Sequence, residues 1–292
     1  MIEIKELTKR FDKTIAVNNL TIELGDGVTG LVGENGAGKS TLFRLIAGVY
    51  QPDNGTIAID GFDAQSKEAK ASLFFLSDEP FFNLGDTPIS LYKTYSTFFD
   101  LDKEKYLELI SKFELPANKT LQTYSKGMKR KAFIALSLAM NVRYLLMDEA
   151  FDGLDPIVLE SIKEVIIEKT KSGTAVVIST HNIALLDKLA DQFIVLSRGI
   201  LASTSESNDK AEKMIKIQLL FDKEYSQKDF ENIGLDIVAY EKVGSTIHIV
   251  LEDTSDIAEK IDKLGKPILF ERIPLQREET IKLMMLSAKE EK

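Results

Sequence analysis

The stretch Gly33-Glu34-Asn35-Gly36-Ala37-Gly38-Lys39-Ser40 fits the pattern G-x-x-x-x-G-K-[S/T], whose residue types are suited to holding a chain of phosphates. Its glycines let successive backbone N–H groups turn toward phosphate oxygens at a helix N-terminus, where the peptide dipoles favour an anion. Lys39 would reach the β- and γ-phosphates, and the Ser40 hydroxyl would join a Mg²⁺ shell. Asn35, Gly36, Gly38, Lys39, Ser40 and Thr41 are therefore the expected nucleotide-binding residues of the loop. The loop can do this only between a buried strand and a helix. Residues 28–32, Val-Thr-Gly-Leu-Val, read as that strand, and residues 41–48 repeat apolar side chains at helical spacing up to Gly48. The ligand expected is a nucleoside triphosphate with Mg²⁺.

A second segment supplies the acids that such a loop needs. Tyr144-Leu145-Leu146-Met147-Asp148-Glu149 is an apolar strand that ends in two carboxylates. Asp148 would bind the metal shell and Glu149 would polarise the attacking water. Two acids at a strand end also occur in ordinary solvated turns. Their position downstream of a phosphate loop favours the catalytic reading.

The elements around these segments alternate. Residues 2–7, 16–24, 28–32 and 55–59 read as strands, with a turn at Pro52-Asp53-Asn54-Gly55. Residues 86–140 carry apolar side chains three and four apart, with helices over 89–99, 103–113 and 132–140. Strand patterns return at 144–147, 175–178 and 193–196, separated by helical patterns over 156–171 and 183–190. This is an α/β core with parallel strands, split by a helical insertion. The polar run 203–209 reads as a linker closing a first domain, residues 1–205. Residues 211–292 form a second, α+β domain whose first six elements run βαββαβ, the ferredoxin-like order, before a terminal helix.

Composition bounds the partners. The 292-residue chain is 44% hydrophobic and has a formal charge of −9 with no dense Lys/Arg tract, a poor match for a nucleic-acid surface. It has no cysteine and two histidines, which leaves neither disulfides nor a structural zinc centre. It has no signal-peptide pattern and no apolar run near the ~20 residues of a membrane span, so membrane work would need another chain to cross the bilayer.

Further signals follow the two nucleotide motifs in order, and with them the chain resembles the ATP-binding cassette family, the nucleotide-binding subunits of ABC transporters, over residues 1 to about 200. The family signature, usually L-S-G-G-Q, is matched by Tyr124-Ser125-Lys126-Gly127-Met128; its D-loop by Gly153-Leu154-Asp155; its switch histidine by His181; its adenine-stacking aromatic by Phe11. The resemblance implies that Ser125 and Gly127 bind a γ-phosphate, that Asp155 lies at the nucleotide interface, and that His181 acts with Glu149 in catalysis. At the Q-loop, Asp78 stands where the family has glutamine: a carboxylate can approach Mg²⁺ but cannot donate as an amide does. Lys126 and Met128 also depart from the signature, in a form that resembles exporter ATPases related to bacitracin and peptide-resistance transporters.

The resemblance implies an ATPase of two cassettes sandwiching two ATP molecules, a homodimer or a related heterodimer. It would be held at the cytoplasmic face of the membrane by a separate permease, with export as the expected direction. The aromatic-rich stretch from Phe81 and Phe82 to Phe99 is mostly core by its spacing, leaving one or two rings to receive the permease. Lys129-Arg130-Lys131 reads as the solvated basic face of a helix, without a catalytic role. The second domain would stabilise the dimer or regulate it. The alternative is a soluble cassette ATPase of the repair or translation type. Those carry long coiled-coil insertions or two cassettes in one chain, neither of which is seen here.

Overall fold

Alternating apolar and charged residues at the start of the chain make an antiparallel sheet with one buried face. A computed structural model describes residues 1–180, 183–204 and 213–290. Strands β1 (Ile2–Phe11) and β2 (Thr14–Leu24) pair in a hairpin, and β1 also pairs with β4 (Asn54–Ile59), which pairs with β5 (Phe62–Asp63). Ile2, Ile4, Leu20 and Ile57 face inward from this sheet.

Strands that are apolar without alternation are buried on both faces. These are β3 (Val28–Val32), β6 (Leu73–Leu76), β7 (Tyr144–Asp148), β8 (Ala175–Ser179) and β9 (Gln192–Ser197), all mutually parallel where they pair. The antiparallel strand β10 (Ile200–Thr204) completes a six-stranded sheet of order β10-β9-β3-β8-β7-β6. Helix α1 (Lys39–Ile46) lies between the two sheets. Its Phe43 and Ile46 share one buried cluster with Ile4 and Leu20 from the first sheet and with Leu146 and Val177 from the second.

Helix α2 (Lys67–Ser72) leads into β6, and the helical insertion follows as α3 (Pro88–Tyr95), α4 (Lys103–Lys112) and α5 (Lys126–Leu138). Each helix of the insertion starts at a residue suited to capping. Thr87 and Ser90 form a reciprocal capping box, Asp102 accepts from the Lys105 N–H, and the Ser125 hydroxyl oxygen accepts from the Met128 N–H. Helix α3 stops four residues short of the expected 99. There the Ser96 and Thr97 hydroxyls donate to the carbonyls of Lys93 and Thr94, diverting the chain into turns. Helix α5 begins six residues ahead of the expected 132 because Ser125 caps it, so the signature and the basic run lie in its first turns. Helices α6 (Pro156–Lys171) and α7 (Ile183–Asp187) complete the unit.

Two compact units divide the chain, Met1–Ser205 and Glu206–Lys292. The expected linker over 203–209 begins two residues too early, since Ser203 and Thr204 pair with Val195 and Ile194 in β10; its remainder lies outside the described residues. The second unit runs β11 (Met214–Leu220), α8 (Gln227–Asn232), β12 (Ile237–Val243), β13 (Thr246–Glu252), α9 (Ile257–Asp262), β14 (Leu269–Ile273) and α10 (Arg277–Glu290). Its sheet has the order β12-β13-β11-β14, antiparallel throughout. Phe230 of α8 is buried at its centre with Ile217, Ile249 and Ile261, in a cluster that draws on this unit alone. Phe230→Ala should therefore lower the stability of the second unit by about 3–5 kcal/mol. Denaturant melts should show one transition moved to lower denaturant and the other retained.

Candidate nucleotide site

The phosphate loop leaves β3 and closes on α1 as its spacing requires. Gly38 has φ +102°, and a Cβ there would lie 2.3 Å from the Ala16 carbonyl oxygen of β2, so both its backbone angle and its surroundings exclude a side chain. The Ala16 carbonyl also crowds Gly199: a Cβ on that residue would sit 2.7 Å away. Glu34, Asn35 and Gly36 form the exposed tip of the loop.

Lys39 is the buried end, only 4% exposed. Its ammonium donates to the Gly33 carbonyl at 2.8 Å and the Glu34 carbonyl at 3.1 Å, and stands 3.9 Å from a Glu149 carboxylate oxygen. Burial lowers its pKa, while the charges of Glu149, Asp148 and Asp152 oppose that shift. The loop thus holds a partly desolvated cation among three nearby oxygens.

The two acids at the end of β7 have different surroundings. Asp148 has no solvent exposure; its Oδ1 accepts from the Ser179 hydroxyl at 2.5 Å, and its Oδ2 is buried with no hydrogen-bond partner. Burial raises its pKa; the Ser179 and Ser40 hydroxyls oppose that rise, and the charges of Asp78 and Glu149 add to it. Glu149 follows in the left-handed region, φ +46°, uncommon for a side chain of its size. Ser179 holds it there, since the Glu149 N–H donates to the Ser179 carbonyl at 2.9 Å and to its hydroxyl at 3.0 Å. The turn aims Glu149 at Lys39, while Asp148 continues the strand beneath.

Magnesium at nucleotide sites is held by one or two carboxylates together with substrate phosphates. Among the described residues no three acids or histidines converge on one metal position. The orphan Oδ2 of Asp148 and the neighbouring Ser40 hydroxyl suit such a phosphate-completed ion.

Other expected residues lie at four separate places in the fold. Phe11 ends β1, is 40% exposed, and meets Tyr50 edge-on with ring centres 5.4 Å apart. Asp78 follows β6 and lies 3.6 Å from Arg44 of α1. Asp155 caps α6 by accepting from the Val158 N–H at 2.9 Å, and pairs with Lys131 of α5 at 2.9 Å, which holds its carboxyl below the usual range. Ser125 and Gly127 open α5; no hydrogen bond among the described residues joins Ser125 to the phosphate loop of its own chain. His181 lies outside the described residues.

The basic run is not the purely solvated face that its sequence suggests. Arg130 donates to the Asp152 carbonyl at 2.7 Å and the Asp78 carbonyl at 3.2 Å, and Lys131 holds Asp155. These partners are distant in sequence and are mostly backbone oxygens, so no residue pattern announces them. In the aromatic stretch Leu91 is buried, while Phe81 and Phe98 are each 78% exposed and Leu84 is 85% exposed. Phe81 and Phe98 border a groove of about 290 Å³ that Tyr95 and Phe99 also line.

A strand–loop–helix cradle with an acid pair at the end of a parallel strand one removed from it in the sheet defines a phosphate-loop NTPase core. The family model described as ABC transporter matches residues 17–152. The manganese transport system ATP-binding protein MntA of Synechocystis is 30% identical over 204 residues, covering 64% of this chain and 77% of that protein. The lantibiotic transport ATP-binding protein SrtF of Streptococcus pyogenes is 28% identical over 231 residues, 76% of this chain and 99% of that one. Among solved structures, the dimeric post-hydrolysis state of the ATP-binding cassette MJ0796, bound to ADP and Pi, superposes with a TM-score of 0.61 at 23% identity over 70% of this chain and 98% of that chain. The chain belongs to the ABC transporter family, as an ATP-binding subunit with the ATPase cassette fold. Among the described residues no helix is long and apolar enough to cross a membrane.

The raised pKa of Asp148 gives a test on the nucleotide-free chain. The folded state holds the proton more tightly than the unfolded one, so stability falls as pH rises from the unfolded pKa, near 3.8, through the raised folded value. Above that raised value the ionised, buried carboxylate is a cost. Asp148→Asn should raise the apo melting temperature by about 2–4 °C while abolishing ATP hydrolysis, as followed by scanning calorimetry and phosphate release.

Proposed function

We propose that this chain is one half of a two-cassette ATPase that drives a separate membrane permease, working in export. The observation that carries this reading is the division of the site. Lys39, Asp148 and Glu149 are gathered within the chain, whereas Ser125 and Gly127 sit at the N-terminus of a 13-residue helix, with no hydrogen bond from Ser125 to the loop among the described residues. A second copy, or a related subunit, would bring that helix end to the γ-phosphate, its N–H groups and dipole favouring the anion. Phe11 would stack on adenine, and Asn35, Gly36, Gly38 and Thr41 would supply loop contacts to the phosphates. Asp155 would sit at the same interface. Ser40 and Asp148 would hold Mg²⁺, with Asp78 as a third ligand; when bound, the ion neutralises charge on the β- and γ-phosphates.

The chain's own groups then divide the work. Lys39, already partly stripped of water and held by two carbonyls, would meet the phosphates from a preset position. Glu149, held by Ser179, would accept a hydrogen bond from the attacking water and polarise it. His181 would orient that water and the γ-phosphate. ATP binding would close the dimer and hydrolysis would release it.

The exposed Phe81 and Phe98 at the groove beside the insertion suit an apolar helix of the permease. The acidic charge disfavours a nucleic-acid partner. Attachment to a permease would place the chain at the cytoplasmic face of the membrane. Export, with a peptide or antibiotic as cargo, rests on the similarity to SrtF. The ferredoxin-like reading of the second unit rests on its βαββαβ order and the strand order β12-β13-β11-β14, and we assign that unit to dimer stabilisation or regulation.

Glu149→Gln should form an ATP-dependent dimer visible by light scattering and should lose roughly 100-fold or more in kcat. A monomeric wild-type chain turning over ATP at its full rate would sink the shared-site reading. Phe81→Ala should leave nucleotide affinity unchanged but uncouple ATP hydrolysis from transport in cells carrying the permease; unchanged transport would count against the groove assignment.

A further inference from the structure

The guanidinium of Arg130 is shared between two loops that carry different parts of the nucleotide site. One nitrogen donates to the carbonyl of Asp152, three residues after Glu149, and another donates to the carbonyl of Asp78. Arg130 itself lies in α5, the helix capped by Ser125, five residues beyond that serine. The Asp78 loop is also tied to α1 through Arg44, and the Asp152 side chain accepts from Thr180 at 3.3 Å at the end of β8. The helix that would meet one nucleotide is therefore fastened to both loops that would surround the other.

We propose that Arg130 is a positioning residue: it converts the seating of its own Ser125 on the partner's nucleotide into the placement of Asp78 and the Glu149–Asp152 turn around its own nucleotide. This rests on the shared-site reading above. Arginine suits the role because its planar fork makes two divergent hydrogen bonds from one rigid group. A lysine keeps the charge but has one small head, which cannot span both carbonyls in the same manner. The pocket of about 350 Å³ beside the fork, lined by Asp78, Glu79, Lys126, Lys129 and Phe133, gives the loop and helix room to shift together.

Arg130→Lys and Arg130→Met in the full-length chain test this. The expected result for both is a kcat lower by roughly tenfold, the scale of one charge-assisted hydrogen bond. ATP affinity measured in the Glu149→Gln background should stay within about twofold, and the Hill coefficient for ATP should fall toward one. Amide exchange should rise at residues 76–80 and 150–154 together, with the melting temperature held. Full activity and cooperativity in Arg130→Lys would overturn the proposal, because charge alone would then suffice. So would a loss of activity that tracks lost affinity or a lower melting temperature, or exchange that rises at one loop only. If Glu149→Gln retains wild-type turnover, the catalytic assignment itself fails. The exchange experiment still decides whether Arg130 joins the two loops.

Discussion

Everything at this site depends on keeping one lysine charged in a place where water has been largely removed. Lys39 is tolerated there because two carbonyls of its own loop accept its protons and Glu149 stands 3.9 Å away. The arrangement constrains the loop's shape, since Gly33 and Glu34 must turn their carbonyls toward Lys39, and the Ala37 N–H donates back to the Glu34 carbonyl. It also leaves Lys39 and Glu149 facing each other across the space in which a triphosphate would lie. A polyanion entering that space supplies the charge that the cation lacks, and separates a pair that otherwise neutralises itself.

Asp148 is the counterpart on the acid side. Its carboxylate is buried, half satisfied by Ser179 and otherwise unpaired, a state that costs stability until something positive arrives. Such local penalties mark sites whose energetics are completed by a ligand. Glu149 bears a related penalty in its backbone, where Ser179 again provides the compensation. Ser179 thus supports both acids, from a strand adjacent to theirs in the sheet.

The parts of this molecule that were legible in sequence are those governed by local chemistry. The loop from Gly33 to Ser40, the strand 28–32 and the helix 156–171 were read at their observed bounds because spacing, capping and apolar runs determine them. Strand β6, Leu73–Leu76, was missed: four consecutive apolar residues carry no alternation, and only the neighbouring β7 makes them a strand. The pair β5 and α2 are too short to leave a pattern. The basic run was misread for a different reason. The sequence gives the charge of Arg130, but its partners are carbonyls 22 and 52 residues away that only the folded chain brings together. The division of the site between Ser125 and the phosphate loop was an inference from resemblance, and the capping of α5 by Ser125 accounts for its being on a helix end at all.

The Ala16 carbonyl, wedged against Gly38 and Gly199, joins the phosphate loop to the antiparallel sheet that carries Phe11. Asn18 donates to the Gly199 carbonyl and Gly199 donates to the Ala37 carbonyl, so the contact is laced by backbone on both sides. The tie is backbone against backbone, with no side chain in it to repack; were Phe11 to stack on adenine as proposed, this tie would set the distance between base and phosphates.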